Sequence, residues 1–366
     1  MQKQTIVIVI NDLGKGGAEV LLVGILPELN KRYNVVLVTL IDTCDFPEDK
    51  IVCSHRYILG LTNKLSVISA VFKMRRIIRR HNAALVSVHL VYSGLIARLA
   101  CPSGIPLVYN VHAIPSISFF NNNPVMRMLE KLTTRSYHSV VAVSNEALKD
   151  YEQTIKKVKN EFILANYVGD AFFHEKIETK KYSHFEKLQL VAVGNLRDDK
   201  NYSYLIEALA QLKQYPITLD VYGKPYGNSL EYLQKETAMN QAAVVFKGKS
   251  DNIQDILPQY DLYVMATKHE GFGIAVAEAM AAGLPLLLSD LPTLRSVTYN
   301  NAIFFDLSNP LAFANRIKEI FDGKYDLNML SGKGVELAKE HYTKKRYTEK
   351  LFEIYDKVSA RRINAK

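Results

Sequence analysis

Two glutamates separated by seven residues, Glu270 and Glu278, are the side chains best suited to chemistry in this chain. They flank Gly271-Phe272-Gly273-Ile274, where the glycines would let a ligand approach the backbone closely. The helix predicted to follow, Ile274–Ala282, would offer an anion its free N–H groups and positive dipole end. Glu278 is the only polar residue of that otherwise apolar helix. Buried there, its carboxylate would need hydrogen-bond donors, which a sugar diol supplies.

Each glutamate also has a simpler interpretation. Glu270 could be an acid that stabilises a helix N-terminus, and Glu278 could point at solvent through a gap. The two together, at this spacing around Gly-Phe-Gly, are more specific than either alone.

A second candidate cluster lies where a predicted strand, Leu188–Val193, gives way to a helix. The connecting segment carries Asn195, Arg197 and Lys200. Cations at a helix start oppose the helix dipole unless an anion is present, so the segment indicates a pyrophosphate site. The alternative is a solvated basic turn.

Other polar residues follow predicted strands of the first half of the chain. His112 follows Leu107–Val111, and a residue at that end of a parallel strand faces the ligand crevice of an open α/β sheet. A lone histidine is nevertheless more often structural than catalytic. Ser144 and Asn145 follow the strand Ser139–Val143, and Asn166 follows Glu161–Leu164. Gly16 and Gly17 open the first helix, in a pattern unlike that of dinucleotide-binding loops.

Short apolar runs alternate with helical patterns along the chain, which predicts an α/β fold with two doubly wound domains. The first domain is assigned to residues 1–174 and the second to 188–343, with a charged linker, Glu175–Lys187, between them. The remaining strands are predicted at Thr5–Ile10, Val35–Leu40, Ala84–Val88, Ile217–Tyr222, Val244–Phe246, Asp261–Met265, Leu286–Leu288 and Ala302–Phe305. Further helices are predicted from Asn201 to about Lys213, over Pro310–Phe321 and over Lys344–Ser359.

The Glu270–Glu278 segment closely resembles the signature of retaining glycosyltransferases of family 4. That resemblance implies a GT-B fold, in which two Rossmann-like domains face each other across a cleft. It places Glu270 beside the donor sugar and Glu278 on the nucleotide ribose. It also matches Lys200, and His112 as a contact of the donor sugar. The terminal helix, 344–366, is expected to pack back on the first, acceptor-binding domain, and the second domain to bind the nucleotide-sugar.

The match is looser elsewhere. The family usually has arginine directly after glycine, where this chain has Asn195, so Arg197 would act from two residues further on. Asn166-Tyr-Val-Gly-Asp170 replaces the common Asn-Gly-Val-Asp. Gly16-Gly-Ala-Glu19 resembles a segment that family members commonly carry on a loop facing the cleft.

The resemblance implies that a sugar moves from a nucleotide-sugar, such as a UDP- or GDP-sugar, to a hydroxyl of a glycan or lipid-linked acceptor. The anomeric configuration would be retained, and the setting would be bacterial capsule, exopolysaccharide or lipopolysaccharide synthesis. No two aspartates stand two apart, so the Asp-x-Asp metal site of GT-A enzymes is missing and neither a metal nor a cofactor is expected. The open alternatives are a GT-B epimerase or phosphorylase, and an inactive transferase-like binding subunit.

Composition limits the setting. The 366 residues are 48% apolar, carry three cysteines without metal-ligand spacing, and contain no apolar run that predicts a membrane span. A cytoplasmic protein is expected. Ile51–Leu129 holds nine basic residues and no acidic one, which accounts for the whole net charge of +9. Its predicted helix, Leu65–Arg80, carries an apolar stripe (Val67, Val71, Met74, Ile78) beside cations. Either the helix packs on its own domain, or it binds an anionic membrane surface. Nucleic acid is not expected, because aromatic residues do not interleave with the arginines.

Overall fold

The computed structural model describes residues 3–63, 66–173 and 185–360, and the chain divides into two compact units. One unit comprises Met1–Asn166 with Lys344–Lys366, and the other comprises Tyr167–Thr343. The first boundary therefore falls before the predicted residue 174. Most of the predicted linker, and Leu65 of the predicted basic helix, lie outside the described residues.

The first unit is built on a seven-stranded parallel sheet of order β3-β2-β1-β4-β5-β6-β7. Its strands are β1 (Thr5–Ile10), β2 (Asn34–Thr39), β3 (His55–Ile58), β4 (Leu85–His89), β5 (Leu107–Val111), β6 (Ser139–Ala142) and β7 (Asn160–Ile163). Its helices up to the boundary are α1 (Gly17–Arg32), α2 (Ser66–Arg80), α3 (Val91–Ala100), α4 (Pro115–Ser118), α5 (Pro124–Thr133) and α6 (Asn145–Thr154).

The second unit has a six-stranded parallel sheet of order β10-β9-β8-β11-β12-β13. Its strands are β8 (Leu188–Val193), β9 (Ile217–Tyr222), β10 (Val244–Gly248), β11 (Leu262–Met265), β12 (Leu286–Ser289) and β13 (Ile303–Phe305). Its helices are α7 (Tyr202–Ala210), α8 (Ser229–Asn240), α9 (Ile253–Ile256), α10 (Ile274–Ala281), α11 (Pro292–Thr298), α12 (Pro310–Phe321) and α13 (Leu327–His341). Short 3₁₀ turns lie at Glu48–Lys50, Phe120–Asn122, Asp170–Phe172, Asp198–Lys200 and Leu257–Gln259.

The final helix, α14 (Lys344–Ala360), belongs to the first unit and packs on α1. Tyr33 meets the Phe352 ring edge-on, with centroids 5.8 Å apart. The Arg32 guanidinium pairs with the Asp356 carboxylate at 2.8 Å.

Burial on both faces explains why most strands could be found from apolar runs. Parallel sheets are covered by helices on both sides, so a central strand such as β1 is almost wholly apolar and buried. The strand order reverses between β1 and β4 in one sheet and between β8 and β11 in the other. In doubly wound sheets the ligand crevice lies at such a switch point, beyond the carboxyl ends of the strands.

Two expectations about elements were wrong, and two elements were missed. The buried face of α2 is formed by Ala70, Met74, Ile77 and Ile78, whereas Val67 and Val71 are only half-buried. The helix after Asn201 ends at Ala210, short of Lys213. The edge strand β3 and the helix α13 were not predicted. None of the helices in the described part of the chain is long and apolar enough to cross a bilayer.

Candidate functional site

The site of the second unit is organised by an ion pair between Lys200 and Glu270. Lys200 lies in the 3₁₀ turn after β8, and Glu270 in the loop after β11, the adjacent strand. The Lys200 Nζ and Glu270 Oε2 atoms are 2.6 Å apart, and both side chains are less than one-fifth exposed. Neighbouring parallel strands thus bring together, at the switch point, two residues that are far apart in sequence.

Asp199 joins the two loops and was missed in the sequence. Its carboxylate accepts the Arg197 Nε at 2.8 Å and lies 3.9 Å from the Lys200 Nζ. Its carbonyl accepts hydrogen bonds from the Lys268 N–H and the Thr267 hydroxyl, at 2.8 and 2.9 Å. Its position in the sequence, between the predicted phosphate-binding residues Arg197 and Lys200, could have indicated its role. Arg197 remains half-exposed.

The loop after β8 is held in place by a contact between two glycine backbones. A Cβ atom on Gly223 would lie 1.9 Å from the Gly194 carbonyl oxygen, so no other residue fits at 223 without backbone movement. The Tyr202 hydroxyl donates to the same Gly194 oxygen at 2.7 Å. The exposed Asn195 accepts the Lys224 N–H at 3.3 Å.

Gly273 begins helix α10 in a left-handed conformation, with φ of 89°, which only glycine adopts without strain. Phe272, 3% exposed, packs against the Tyr342 ring. Gly271 is buried as well. The expectation that α10 is buried all round was wrong, because Ile274, Ala275 and Glu278 form a half-buried face.

Glu278 lies on that half-buried face and, among the described residues, has no hydrogen-bond partner. Burial raises the pKa of its carboxyl to about 8. Both glutamates act on the fully buried Tyr263: burial first, then Tyr202, Glu278 and Glu270 in turn, raise the pKa of its hydroxyl well above the usual range. A ligand hydroxyl could therefore donate to Glu278 without displacing a protein group.

In the first unit, His112 forms a pair with His89. The two rings stack with centroids 5.1 Å apart, and His89 Nδ1 lies 2.9 Å from His112 Nε2. Burial lowers the pKa of His112 to about 4 and that of His89 well below its usual value, the latter also through His112. Both rings are consequently neutral at pH 7. The His112 Nδ1 atom is buried and has no hydrogen-bond partner in the described part of the chain. His89 was missed, although it too ends a strand.

The remaining predicted site residues have local structural roles or stand apart. Gly16 and Gly17 form the start of α1, and Glu19 beside them has its pKa raised by burial. Ser144 caps α6 by accepting the Ala147 N–H at 3.1 Å. Asn145 is exposed, and Asn166 is 8% exposed. In the described ranges, no group of three His, Cys, Asp or Glu side chains could hold a metal ion.

Comparison with known proteins gives two family matches. Residues 15–161 match the model of glycosyltransferase family 4, and residues 174–335 match that of the glycosyl transferases group 1. Among characterised relatives, the chain is 25% identical over 226 residues to N-acetyl-alpha-D-glucosaminyl L-malate synthase of Bacillus anthracis, covering 59% of this chain and 58% of that one. It is 33% identical over 141 residues to the GtfA subunit of a UDP-N-acetylglucosamine–peptide N-acetylglucosaminyltransferase of Streptococcus gordonii. That match covers 37% of this chain and 25% of the subunit.

Solved structures agree over nearly the whole chain. Sucrose-phosphate synthase from Thermosynechococcus elongatus superposes with a TM-score of 0.81 at 15% identity, covering 98% of this chain and 100% of that one. Anabaena HepE, solved with UDP-glucose, superposes with a TM-score of 0.80 at 16% identity, covering 97% and 99%. At these identities the likeness concerns the fold, which is GT-B with two Rossmann-like domains.

Proposed function

We propose that this chain, a glycosyltransferase that belongs to family 4, transfers a sugar from a nucleotide-sugar donor to a hydroxyl acceptor with retention of anomeric configuration. The observation that carries the proposal is Glu278, a half-buried carboxylate on the helix that follows Glu270, with no hydrogen-bond partner among the described residues. A vicinal ribose diol offers the two donors that it lacks. HepE, a structural neighbour, was solved with UDP-glucose bound.

The diphosphate would meet Lys200 and Arg197 together with the start of α10. Lys200 is already held by Glu270 and Asp199, so its ammonium is positioned before the donor arrives. Two cations and a helix N-terminus can stabilise the charge that develops on the leaving diphosphate. The proposal therefore requires no divalent metal and no cofactor. Glu270, while bonded to Lys200, keeps acceptor capacity for hydroxyls of the donor sugar.

His112 would act as a neutral hydrogen-bonding group. Its pKa of about 4 means that it brings no positive charge near pH 7. Its buried Nδ1 lacks a partner, which suits a contact with a substrate hydroxyl. The His89 ring stacked on it would fix its orientation and tautomer.

The acceptor is proposed to be a glycan or lipid-linked saccharide at an anionic membrane surface, in bacterial cell-surface glycan synthesis, with the enzyme on the cytoplasmic side. Between Ile51 and Asn145 the only acidic residue is Glu130. It is 1% exposed and forms an ion pair with the buried Arg98. The described surface of this segment thus has cationic side chains and no acidic one.

Exposed apolar side chains accompany those cations. Ile68 and Phe72 on α2 are 65% and 67% exposed. On α5, the exposed side chains one helical turn apart are Val125, Met128 and Leu132. Helix α3 packs against both α2 and α5. Apolar side chains among exposed cations fit the interface of an anionic bilayer, where each nearby Lys or Arg contributes roughly 1 kcal/mol.

The decisive experiment is a screen of UDP- and GDP-sugars for slow donor hydrolysis, with calorimetric binding of UDP and GDP in parallel. Donor hydrolysis that releases the nucleoside diphosphate and a sugar with the anomeric configuration of the donor supports a retaining transferase. Release of a sugar 1-phosphate from a glycan and phosphate, without any nucleotide-sugar, would indicate a phosphorylase. A changed sugar that is still bound to its nucleotide would indicate an epimerase. Nucleotide binding without turnover of any donor, even with acceptor extracts, would favour an inactive binding subunit.

A further inference from the structure

A cavity of about 280 Å³ opens at the carboxyl edge of the first sheet, beside His112. Its wall is formed by the segments that follow β1, β4 and β5 and by α4. Most of the lining surface is apolar, and the principal side chains are those of Leu90, Val91, Tyr92, Val111, Pro115 and Phe119. His112 lies on its wall, whereas Lys200, Glu270 and Glu278 belong to the other unit and do not line it.

Several polar groups on the wall are bonded within the protein, whereas the His112 Nδ1 atom has no hydrogen-bond partner among the described residues. The Asn11 Oδ1 accepts the Ser93 N–H at 3.0 Å. The Asn110 Nδ2 donates to the Ser87 hydroxyl and the Val88 carbonyl, both at 3.0 Å. The Ser118 hydroxyl donates to the Ile114 carbonyl at 2.7 Å. A sugar ring placed here would give up its bonds to water for few replacements, whereas a hydrocarbon gives up none.

The mouth of the cavity is aromatic and accessible. Tyr92, 44% exposed, meets the Phe119 ring edge-on at 5.5 Å between centroids. Ile117, 42% exposed, lies between the lining residues Pro115 and Ser118. Apolar side chains thus continue from the cavity to the protein surface on the segment that leads into α5.

The backbone of Leu90, one of the residues that line the cavity, is strained. Its φ of 72° and ψ of 162° fall in a region that is otherwise almost confined to glycine, at a cost of about 1–3 kcal/mol. A glycine would remove the strain and also the apolar side chain. Strain of this kind persists where surrounding structure enforces it, often at ligand sites.

We propose that the cavity binds an alkyl or prenyl segment of the acceptor, so that the acceptor is a lipid-linked molecule whose first apolar carbons lie beside His112. That the bound molecule is an acceptor rests on the proposed transferase function. The cavity's preference for hydrocarbon does not, since it follows from the largely apolar lining and from the internal hydrogen bonds of Asn11, Asn110 and Ser118.

The test uses the absence of tryptophan from the chain. A Tyr92→Trp variant carries one indole at the cavity mouth, and Tyr226→Trp carries one at a 74% exposed position of the other unit. Both are titrated, without donor, with methyl, butyl, hexyl and octyl β-D-glucoside below micelle-forming concentrations. For Tyr92→Trp we expect a saturable emission shift whose dissociation constant falls about fourfold per buried methylene, from ~0.8 kcal/mol each. The fall should end when the cavity is full. Tyr226→Trp should show no shift.

A blocked cavity provides the second arm. Ser118→Phe in the Tyr92→Trp background should abolish the chain-length dependence, with unchanged thermal unfolding as evidence of an intact fold. Equal affinity for methyl and octyl glucoside would identify a sugar subsite and overturn the proposal. So would the lack of any saturable response, or the same response from both tryptophan positions. Because no transfer is measured, these outcomes are separate from the failure of every donor in the nucleotide-sugar screen.

Discussion

Replacing Glu278 by glutamine should stabilise the free protein at neutral and alkaline pH and, at the same time, weaken donor binding. In the folded protein burial raises the pKa of this carboxyl from 4.5 to about 8. The stability associated with its protonated form is fully present below pH 4.5. It declines as the pH rises above that value and is lost above about pH 8. Glutamine resembles the protonated acid and has no such loss.

The size of the effect follows from the two pKa values. At about 1.4 kcal/mol per pH unit, a change of the pKa from 4.5 to about 8 corresponds to roughly 5 kcal/mol. The side chain lies on the half-buried face of α10, so solvent screens part of its charge. We therefore expect Glu278→Gln to raise the free energy of unfolding by about 2 kcal/mol above pH 8, and not to change it below pH 4.5.

Donor binding should change in the opposite direction. Ribose hydroxyls donate to the ionised carboxylate, so UDP or GDP binding at pH 7 should release about one proton. Calorimetry in buffers of different ionisation enthalpy measures this release. Glu278→Gln should release none, and loss of a charge-assisted hydrogen bond, about 1.5–3 kcal/mol, should weaken nucleotide binding roughly 10- to 100-fold.

A matched variant separates these effects from a general loss of charge. Glu336 is exposed on α13 and pairs with Lys333 at 3.2 Å, so Glu336→Gln should alter neither property. The reasoning is refuted if Glu278→Gln binds the nucleotide as tightly as wild type with the same proton release. An unfolding free energy that is identical for the two proteins from pH 4 to pH 9 would refute the stability argument by itself.

Other predictions concern the cations, the buried ion pair and the membrane. Lys200→Ala should slow sugar transfer far more than Lys213→Ala, which removes an exposed lysine. Transfer by the wild-type protein should survive excess EDTA. Activity that is lost in EDTA and restored by Mg²⁺ or Mn²⁺ would contradict the prediction that no metal is needed. Arg98→Met should destabilise the fold by about 3–5 kcal/mol in urea denaturation, because it leaves the Glu130 carboxylate without its ion-pair partner. The double variant Arg98→Met/Glu130→Leu should recover most of that loss. Equal instability of the two variants would argue against the ion pair as the cause. Cosedimentation of the protein with anionic vesicles should exceed that with neutral vesicles and should weaken at high salt. It should also fall in the variant in which glutamine replaces Arg75, Arg76, Arg79 and Arg80. Equal binding to anionic and neutral vesicles would exclude the α2 surface as a membrane-binding site.

Periodicity found most of the fold because central strands of parallel sheets are apolar on both faces. It failed for β3, whose sequence His55-Arg-Tyr-Ile58 lies at the sheet edge and is only half-buried. It also misjudged the buried face of α2. The pattern favoured the bulky Val67 and Val71, but the small Ala70 lets the helix approach its neighbours, and Phe72 is left outside.

The candidate site was predictable where one segment carries it. The Glu270–Glu278 segment shows its spacing and the lone acid of its apolar helix directly in the sequence. The Lys200–Glu270 ion pair depends instead on β8 and β11 being neighbours, and the His89–His112 pair on β4 and β5 being neighbours. Such contacts are set by strand order, which periodicity along the chain does not encode. Asp199 was overlooked for the same reason, because its importance comes from bonds to the loop after β11.

The close approach of Gly223 to the Gly194 carbonyl has a consequence for anyone who evolves this enzyme toward other donors. Gly223 tolerates no substitution without backbone movement, since even one added methyl group would collide with the Gly194 carbonyl, at the start of the loop that carries Arg197. Asn195, by contrast, is exposed, and its side chain makes a long hydrogen bond to the Lys224 N–H. A mutant library that spares the glycine and randomises Asn195 would vary the chemistry near the diphosphate while the supporting loop stays fixed.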